Sequence, residues 1–261
     1  MSELLQCGRA GRPLPLSDII DMHGHLGRCS FAIPDTTAAG MVAVMDRLGI
    51  RSTVCSHMQS WGAEAIRGNR EVLDAMRGFP GRILGYASVW PWPEAEVRAE
   101  AAYCLGAGFT GIKVHNSQGF PYTHASYIPM YEMADERHLP MLFHVWGEDR
   151  VFGEIAEIAR SYPNTNILMA HSGAANVEGY IRMAAEHPNV YLDLAYSASP
   201  RGMVERLVSA AGVEKVVFGS DAYFFSQSQQ IGKVLGAKIT DDAKQQILSG
   251  NALRILSQRA E

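Results

Sequence analysis

Short apolar runs alternate along this chain with longer amphipathic stretches, and few folds accommodate that alternation. The runs fall at residues 18–23, 51–57, 82–89, 110–115, 140–145, 166–171, 189–194 and 215–220. Most are near-continuously apolar and several are rich in Val and Ile, as expected of parallel strands covered on both faces. Between them, Val97, Ala101, Cys104 and Leu105 keep helical spacing within 93–105, and Val151, Ile155, Ile158 and Ala159 do so within 150–160. Each stretch therefore carries one apolar stripe. Gly and Pro punctuate the joints, as at 78–81 and 187–189.

Eight strands alternating with helices predict an α/β fold, and both a closed barrel and a doubly wound open sheet fit that count. The length of 261 residues is close to the roughly 250 of a (β/α)8 barrel. No composition shift or linker interrupts 1–261, so one domain is expected, with residues 1–17 as an irregular lead-in.

Composition narrows the function classes. The chain is 47% apolar and 19% charged, which argues against disorder. A net charge of -4 gives no basic footprint for nucleic acid and no polybasic patch for a membrane. No run has the length of a membrane span, and the start of the chain does not read as a signal peptide. Cys7, Cys29, Cys55 and Cys104 form no C-x-x-C pair, so they are expected as free thiols in a reducing cytoplasm. The expected partner is a small-molecule substrate. A homodimer is the expected assembly, symmetric dimers being the commonest.

The chemistry lies where polar residues meet strand ends, because active sites of both α/β architectures gather at the carboxyl ends of strands. The first run ends Asp21-Met22-His23-Gly24-His25 and the second at His57. The fourth carries Lys113 and His115, the fifth His144, the sixth His171, and the eighth leads into Asp221. Side chains alternate with period two along a strand, so Asp21, His23 and His25 share a face if the strand continues through Gly24. His23, His25, His144 and Asp221 would then give three nitrogens and one oxygen, a shell that zinc accepts with a position left for water. Asp21, one layer below, is placed to orient a ligand histidine. Singly, His57 or His115 reads as a core histidine. The joint placement of His23, His25, His144, His171 and Asp221 at strand ends has no packing explanation.

These residues resemble the amidohydrolase-related metal-dependent hydrolases, which are TIM barrels. The resemblance is carried by Ile20-Asp21-Met22-His23-Gly24-His25, Gly111-Ile112-Lys113-Val114-His115, Phe143-His144-Val145, Ala170-His171-Ser172-Gly173, Phe218-Gly219-Ser220-Asp221 and the segment Gly250 to Leu256, and covers nearly the whole length. It favours the closed barrel: a single (β/α)8 TIM barrel. It implies that His23, His25, His144 and Asp221 hold one divalent metal ion, zinc before manganese, iron or cobalt. It implies catalytic roles for Asp221, as proton carrier, and for His171, which polarises substrate. A second ion on His171, bridged by a carboxylated Lys113, is the binuclear alternative. Lys113, His115, Arg28, His57 and Trp146 are expected to contact substrate, and Trp90, Ser172 and Tyr223 are further loop candidates.

The expected activity is hydrolysis of a small amide, ester or lactone by a metal-activated water. The alternative is non-oxidative decarboxylation of an aromatic or enol-type carboxylic acid, with Arg28 as a carboxylate clamp. A third class, a barrel that binds a metal or ligand without chemistry, is disfavoured by the filled constellation.

Overall fold

The computed structural model describes residues 2–116, 119–196 and 199–259. Eight parallel strands run in the order β1 to β8: Ile19–Leu26, Ile50–His57, Ile83–Ser88, Gly111–Val114, Pro140–Phe143, Asn166–Met169, Val190–Asp193 and Val216–Val217. The principal helices are α1 (Glu3–Arg9), α2 (Ala38–Leu48), α3 (Ala65–Gly78), α4 (Glu94–Gly106), α5 (Ile128–Glu136), α6 (Asp149–Ser161), α7 (Val177–Glu186), α8 (Met203–Ala211), α9 (Gln227–Gly236), α10 (Asp241–Gln245) and α11 (Asn251–Ser257).

The sheet closes on itself. β8 is short because the chain beyond it turns to meet β1: Met22 N–H donates to Phe218 O at 2.9 Å, and Asp221 N–H donates to His23 O at 2.7 Å. Gly24 and Ala222 add a parallel bridge. The protein is therefore a single (β/α)8 TIM barrel.

Two apolar layers hold it. Outside the strands, Ile19, Ile50, Ile83, Val151, Ile155 and Leu207 pack in one continuous core between sheet and helices. Inside, Ile20, Met22, Val54, Tyr86, Leu142, Leu168 and Val217 form a second cluster. Ala252 and Ile255 of α11 join this inner cluster. The Tyr86 hydroxyl satisfies itself on Met22 O at 3.0 Å, as a buried phenol must.

Local sequence sets the helix ends. Thr37 caps α2 by accepting from Gly40 N–H, and Gly49 ends it at φ 73°, the left-handed position that glycine adopts without a Cβ penalty. Asn176 caps α7 through Gly179 N–H.

The expected stripes at 93–105 and 150–160 fall on α4 and α6, whose buried residues include Val97, Cys104, Val151 and Ile155. The lead-in corrects the expectation of an irregular segment. Ser2 caps α1 through Leu5 N–H, Asp241 accepts from Glu3 N–H at 2.9 Å, and Leu4 and Cys7 are buried. A Cβ at Gly8 would stand 2.6 Å from Leu235 Cδ1 on α9. A capped apolar face with a neighbour to cover it is helical despite the Gly-Arg-Pro tail.

The inner cluster predicts a stability effect. Met22 is fully buried, and Met22→Ala is expected to lower the unfolding free energy by about 2–5 kcal/mol, read from urea denaturation monitored by circular dichroism.

Candidate metal centre and active site

β1 is not a regular strand. Asp21 pairs with Thr53 and Gly24 with Cys55, so Met22 and His23 together face a single residue of β2. Such a bulge re-aims side chains. Ile20 and Met22 join the inner apolar cluster, while His23 and His25 converge with Nε2 atoms 3.1 Å apart. Gly24 fits beneath them because a Cβ there would lie 2.5 Å from Thr53 Cγ2.

Asp21 does not orient a histidine ring, contrary to the alternation argument. Its carboxylate accepts from Ser220 N–H at 2.9 Å, from Ser220 Oγ–H at 2.5 Å and from Gln227 Nε2–H at 3.0 Å. It fastens the chain beyond β8 to β1. It also accepts from His23 N–H at 3.1 Å, but the bulge, invisible to period-two counting, carries the His23 ring away from it.

The orienting carboxylate is Asp193, the last residue of β7. Its Oδ2 lies 2.7 Å from His23 Nδ1, and its Oδ1 accepts from Ala195 N–H at 3.2 Å. Gly219 makes the approach feasible, since a Cβ there would stand 1.9 Å from Asp193 Oδ1. With Nδ1 committed to a carboxylate, His23 presents Nε2 inward. His25 does the same, its Nδ1 meeting Ser56 Oγ at 2.9 Å.

The inward nitrogens meet Asp221, whose Oδ1 lies 2.9 Å from His25 Nε2 and 3.4 Å from His23 Nε2. His23, His171 and Asp221 each offer a donor atom within 4.8 Å of the others. His171 Nδ1 donates to Ala195 O at 2.5 Å, which leaves Nε2 facing His144 Nδ1 at 3.3 Å. In the structure His171 therefore stands beside Asp221, and His144, the expected third nitrogen, is linked to it through the His171 ring. His171 and Asp221 both take left-handed backbone, at φ 61° and 57°, a conformation that costs about 1–3 kcal/mol each and is typical of functional sites.

Electrostatics explains why such a cluster suits a cation. Burial pushes the Asp221 carboxyl up to about 6 and the Asp193 carboxyl up to about 8. It drives His23, His25 and His144 well below the ordinary histidine range, His171 down to about 4 and His115 down to about 2. The imidazoles are thus neutral, and a neutral ring can turn an unprotonated Nε2 toward a cation lying between His23, His25 and Asp221. Neutral imidazole nitrogens with one carboxylate are the donor set that zinc and other first-row divalent ions accept. The residues fit a divalent metal ion. Lys113 is buried beside them, with Nζ 3.5 Å from His23 Nε2. Burial lowers its ammonium to about 8.

Above the cluster opens a cavity of about 530 Å3, lined by His25, His115, His144, His171 and Asp221 and by a ring of aromatic side chains. Trp61 stacks on His115 at 4.5 Å and 18°, and Trp146 on His171 at 4.4 Å and 11°. Phe31, Ile33, Phe224 and Phe225 complete the rim, with Tyr223 beside them. Of the residues expected to contact substrate, His115 and Trp146 line this cavity and Lys113 lies at the cluster.

Arg28 and His57 do not line it. Arg28 is exposed and lines other cavities along the outer side of the loop after β1. His57 follows Ser56, so strand alternation turns it away from the cluster as Ser56 turns toward it. It packs under Gly27, where a Cβ would lie 1.8 Å from its Nε2. Its Nδ1 accepts from Gln59 N–H at 3.3 Å and its Nε2–H donates to Glu71 at 3.0 Å. His57 thus fixes the short turn Met58–Trp61 that brings Trp61 to the rim. Ser172 bonds backbone, its hydroxyl donating to Met169 O.

Sequence reading missed Asp193 and Trp61. For Asp193 a signal existed: a carboxylate inside an apolar buried strand needs a partner. Trp61 ends the short turn Met58–Trp61 and the Phe224-Phe225 pair lies in a loop, and no periodicity marks either.

The family model described as Amidohydrolase matches residues 20–258. The chain belongs to the amidohydrolase family. It is a metal-dependent enzyme of that superfamily. Among solved structures, it resembles an uncharacterized TIM-barrel protein from Bordetella bronchiseptica at 18% identity, with 92% of this chain and 99% of that chain covered and a TM-score of 0.74. A dihydroxybenzoic acid decarboxylase from Polaromonas, with bound manganese and the inhibitor 2-nitroresorcinol, matches at 16% identity over 93% and 97% with a TM-score of 0.74. A 4-oxalomesaconate hydratase from Rhodopseudomonas palustris matches at 19% identity over 92% and 96% with a TM-score of 0.71. At these identities the likeness is one of fold. No curated protein sequence matches this chain. No helix among the described residues is long and apolar enough to cross a membrane.

Two measurements check the centre. Protein purified without added metal is expected to carry about one equivalent of a divalent ion by plasma emission spectrometry, lost in the His23→Ala/His25→Ala variant. Asp193→Asn is expected to weaken metal affinity by about 10–100-fold in a competition titration with a chelating dye.

Proposed function

We propose that this enzyme is a non-oxidative decarboxylase of a small aromatic or enol-type carboxylic acid. The observation that carries the reading is the aromatic-lined cavity directly over the donor cluster, with the indoles of Trp61 and Trp146 stacked on His115 and His171. A planar apolar body suits a lining of this kind, and offset or edge contacts with its rings add about 0.5–1.5 kcal/mol each beyond area burial. The Polaromonas decarboxylase, solved with manganese and 2-nitroresorcinol, supports the same choice.

His23, His25, His144 and Asp221, with His171 beside Asp221, are the residues that would hold the divalent ion, zinc or manganese. When bound, that ion supplies a Lewis acid that draws electron density from the substrate oxygens. The chain's own residues do the rest. Lys113 adds positive charge at the floor, where the substrate's anionic group must lie. The aromatic rim excludes water from the reacting carbon and holds the ring flat. Asp221, raised to about 6 by burial, is protonated in a minor fraction of molecules at neutral pH and in a growing fraction below it, and in that form delivers its proton to the carbon that bears the carboxylate. The proton is taken up by a π pair of the ring or enol; the carbon–carbon bond then breaks, its electron pair restores that π bond, and carbon dioxide leaves. Asp221 recovers its proton from solvent. His171, held by Ala195 O, keeps a neutral ring against the leaving carboxylate.

Hydrolysis of an ester, lactone or amide is the competing reading, because the same Asp221 would take a proton from water when ionised. A panel of dihydroxybenzoates, lactones and esters, assayed for carbon dioxide and for acid release, separates the two. Carbon dioxide release is expected, with Asp221→Asn lowering kcat by about 10²–10⁴-fold. Lactone or ester turnover without carbon dioxide from any acid would overturn the decarboxylase reading.

A further inference from the structure

The turn that follows β7 bears on two rings of the centre at once. Asp193 holds His23 Nδ1 at 2.7 Å, and two residues later Ala195 O accepts from His171 Nδ1 at 2.5 Å. Tyr196 then packs against the rim, its ring centroid 5.8 Å from that of Trp146 and 6.5 Å from that of His171. The carbonyls on either side of Ala195 lie beyond the end of β7. Both accept from one ammonium. Lys233, on α9, donates from Nζ to Leu194 O and, at 2.7 Å, to Tyr196 O.

The lysine is out of place for a helix-surface residue. It is only part-exposed, and among the described residues no carboxylate forms an ion pair with it. Burial lowers its ammonium to about 8, and the nearby Asp193 charge opposes that shift. An ammonium carries three donors and no acceptor, so two main-chain carbonyls on one short turn are a geometric clamp. Charge-assisted bonds of this kind are stronger than neutral ones. Helix α9 is otherwise tied to the seam through Gln227, which reaches Asp21 and Thr53.

We propose that Lys233 is a positioning residue: by holding Leu194 O and Tyr196 O, it fixes the turn whose Asp193 and Ala195 orient the rings of His23 and His171. It acts from a helix outside the barrel and touches none of the donor atoms. The inference rests on the reading of His23 and His171 as working groups of the site.

The test uses histidine ring proton resonances of 15N-labelled, zinc-loaded protein, with turnover measured on the best substrate of the panel. In the wild type, the Nδ1–H protons of His23 and His171 are expected far downfield, as short hydrogen bonds require. In Lys233→Met both signals are expected to shift or broaden, while the ring proton of His57, held by Glu71 on the other side of β2, stays in place. The same variant is expected to lose about 10–100-fold in kcat with KM near the wild-type value, and Lys233→Arg is expected to restore both signals and turnover. Unmoved His23 and His171 signals in Lys233→Met would overturn the proposal. So would loss of the His57 signal alongside them, which marks general loosening. Shifted signals with unchanged turnover would uphold the clamp and overturn the reading of the two histidines as working groups.

Discussion

The structure depends on the seam where the chain beyond β8 meets β1. Met22 N–H, Asp221 N–H and the Asp21 carboxylate all reach across it. Without the seam the sheet is an open ribbon with two exposed edges, and a parallel sheet needs both faces and edges covered. The same bonds assemble the chemistry, because His23 O accepts from Asp221 N–H while the two side chains approach above it. Closure and cluster formation are one event.

The seam also explains the local irregularities. The bulge in β1 lets Met22 serve the inner apolar cluster while His23 rises to the donor cluster. Left-handed backbone at His171 and Asp221 turns each side chain inward just after its strand ends. Gly219 leaves room for Asp193 to reach His23. Each departs from a local rule, and all three lie at the carboxyl end of the barrel. Concentration of such departures at one end is what a functional site produces in an otherwise regular fold.

Much of this was legible in the sequence, for reasons that differ by residue. The strands were readable because parallel strands buried on both faces are continuous apolar runs. His23, His25, His144, His171 and Asp221 stood out because they follow those runs directly. Period-two alternation failed at Asp21, since a bulge shifts the phase without any change in composition. It would have placed His57 correctly had it been applied to Ser56, which faces His25 across the β1–β2 pair. Arg28 was attractive only for its charge and nearness in sequence to His25, and a loop carries it outward. Asp193 and Trp61 depend on tertiary approach, and neither spacing nor propensity encodes which side of a turn a side chain takes. The helix α1 was hidden by the glycines and prolines that follow it, although its N-cap serine was in plain view.

The seam has a consequence for how the molecule is made. Ser220 and Asp21 lie 199 positions apart in the chain, and Asp221 follows directly. During synthesis His23 and His25 precede Asp221 by nearly 200 positions, so the carboxylate does not join them until almost the whole barrel has been made. The cluster of His23, His171 and Asp221 thus exists only after the last strand docks, and a chain stopped short of that point has the histidines but no site.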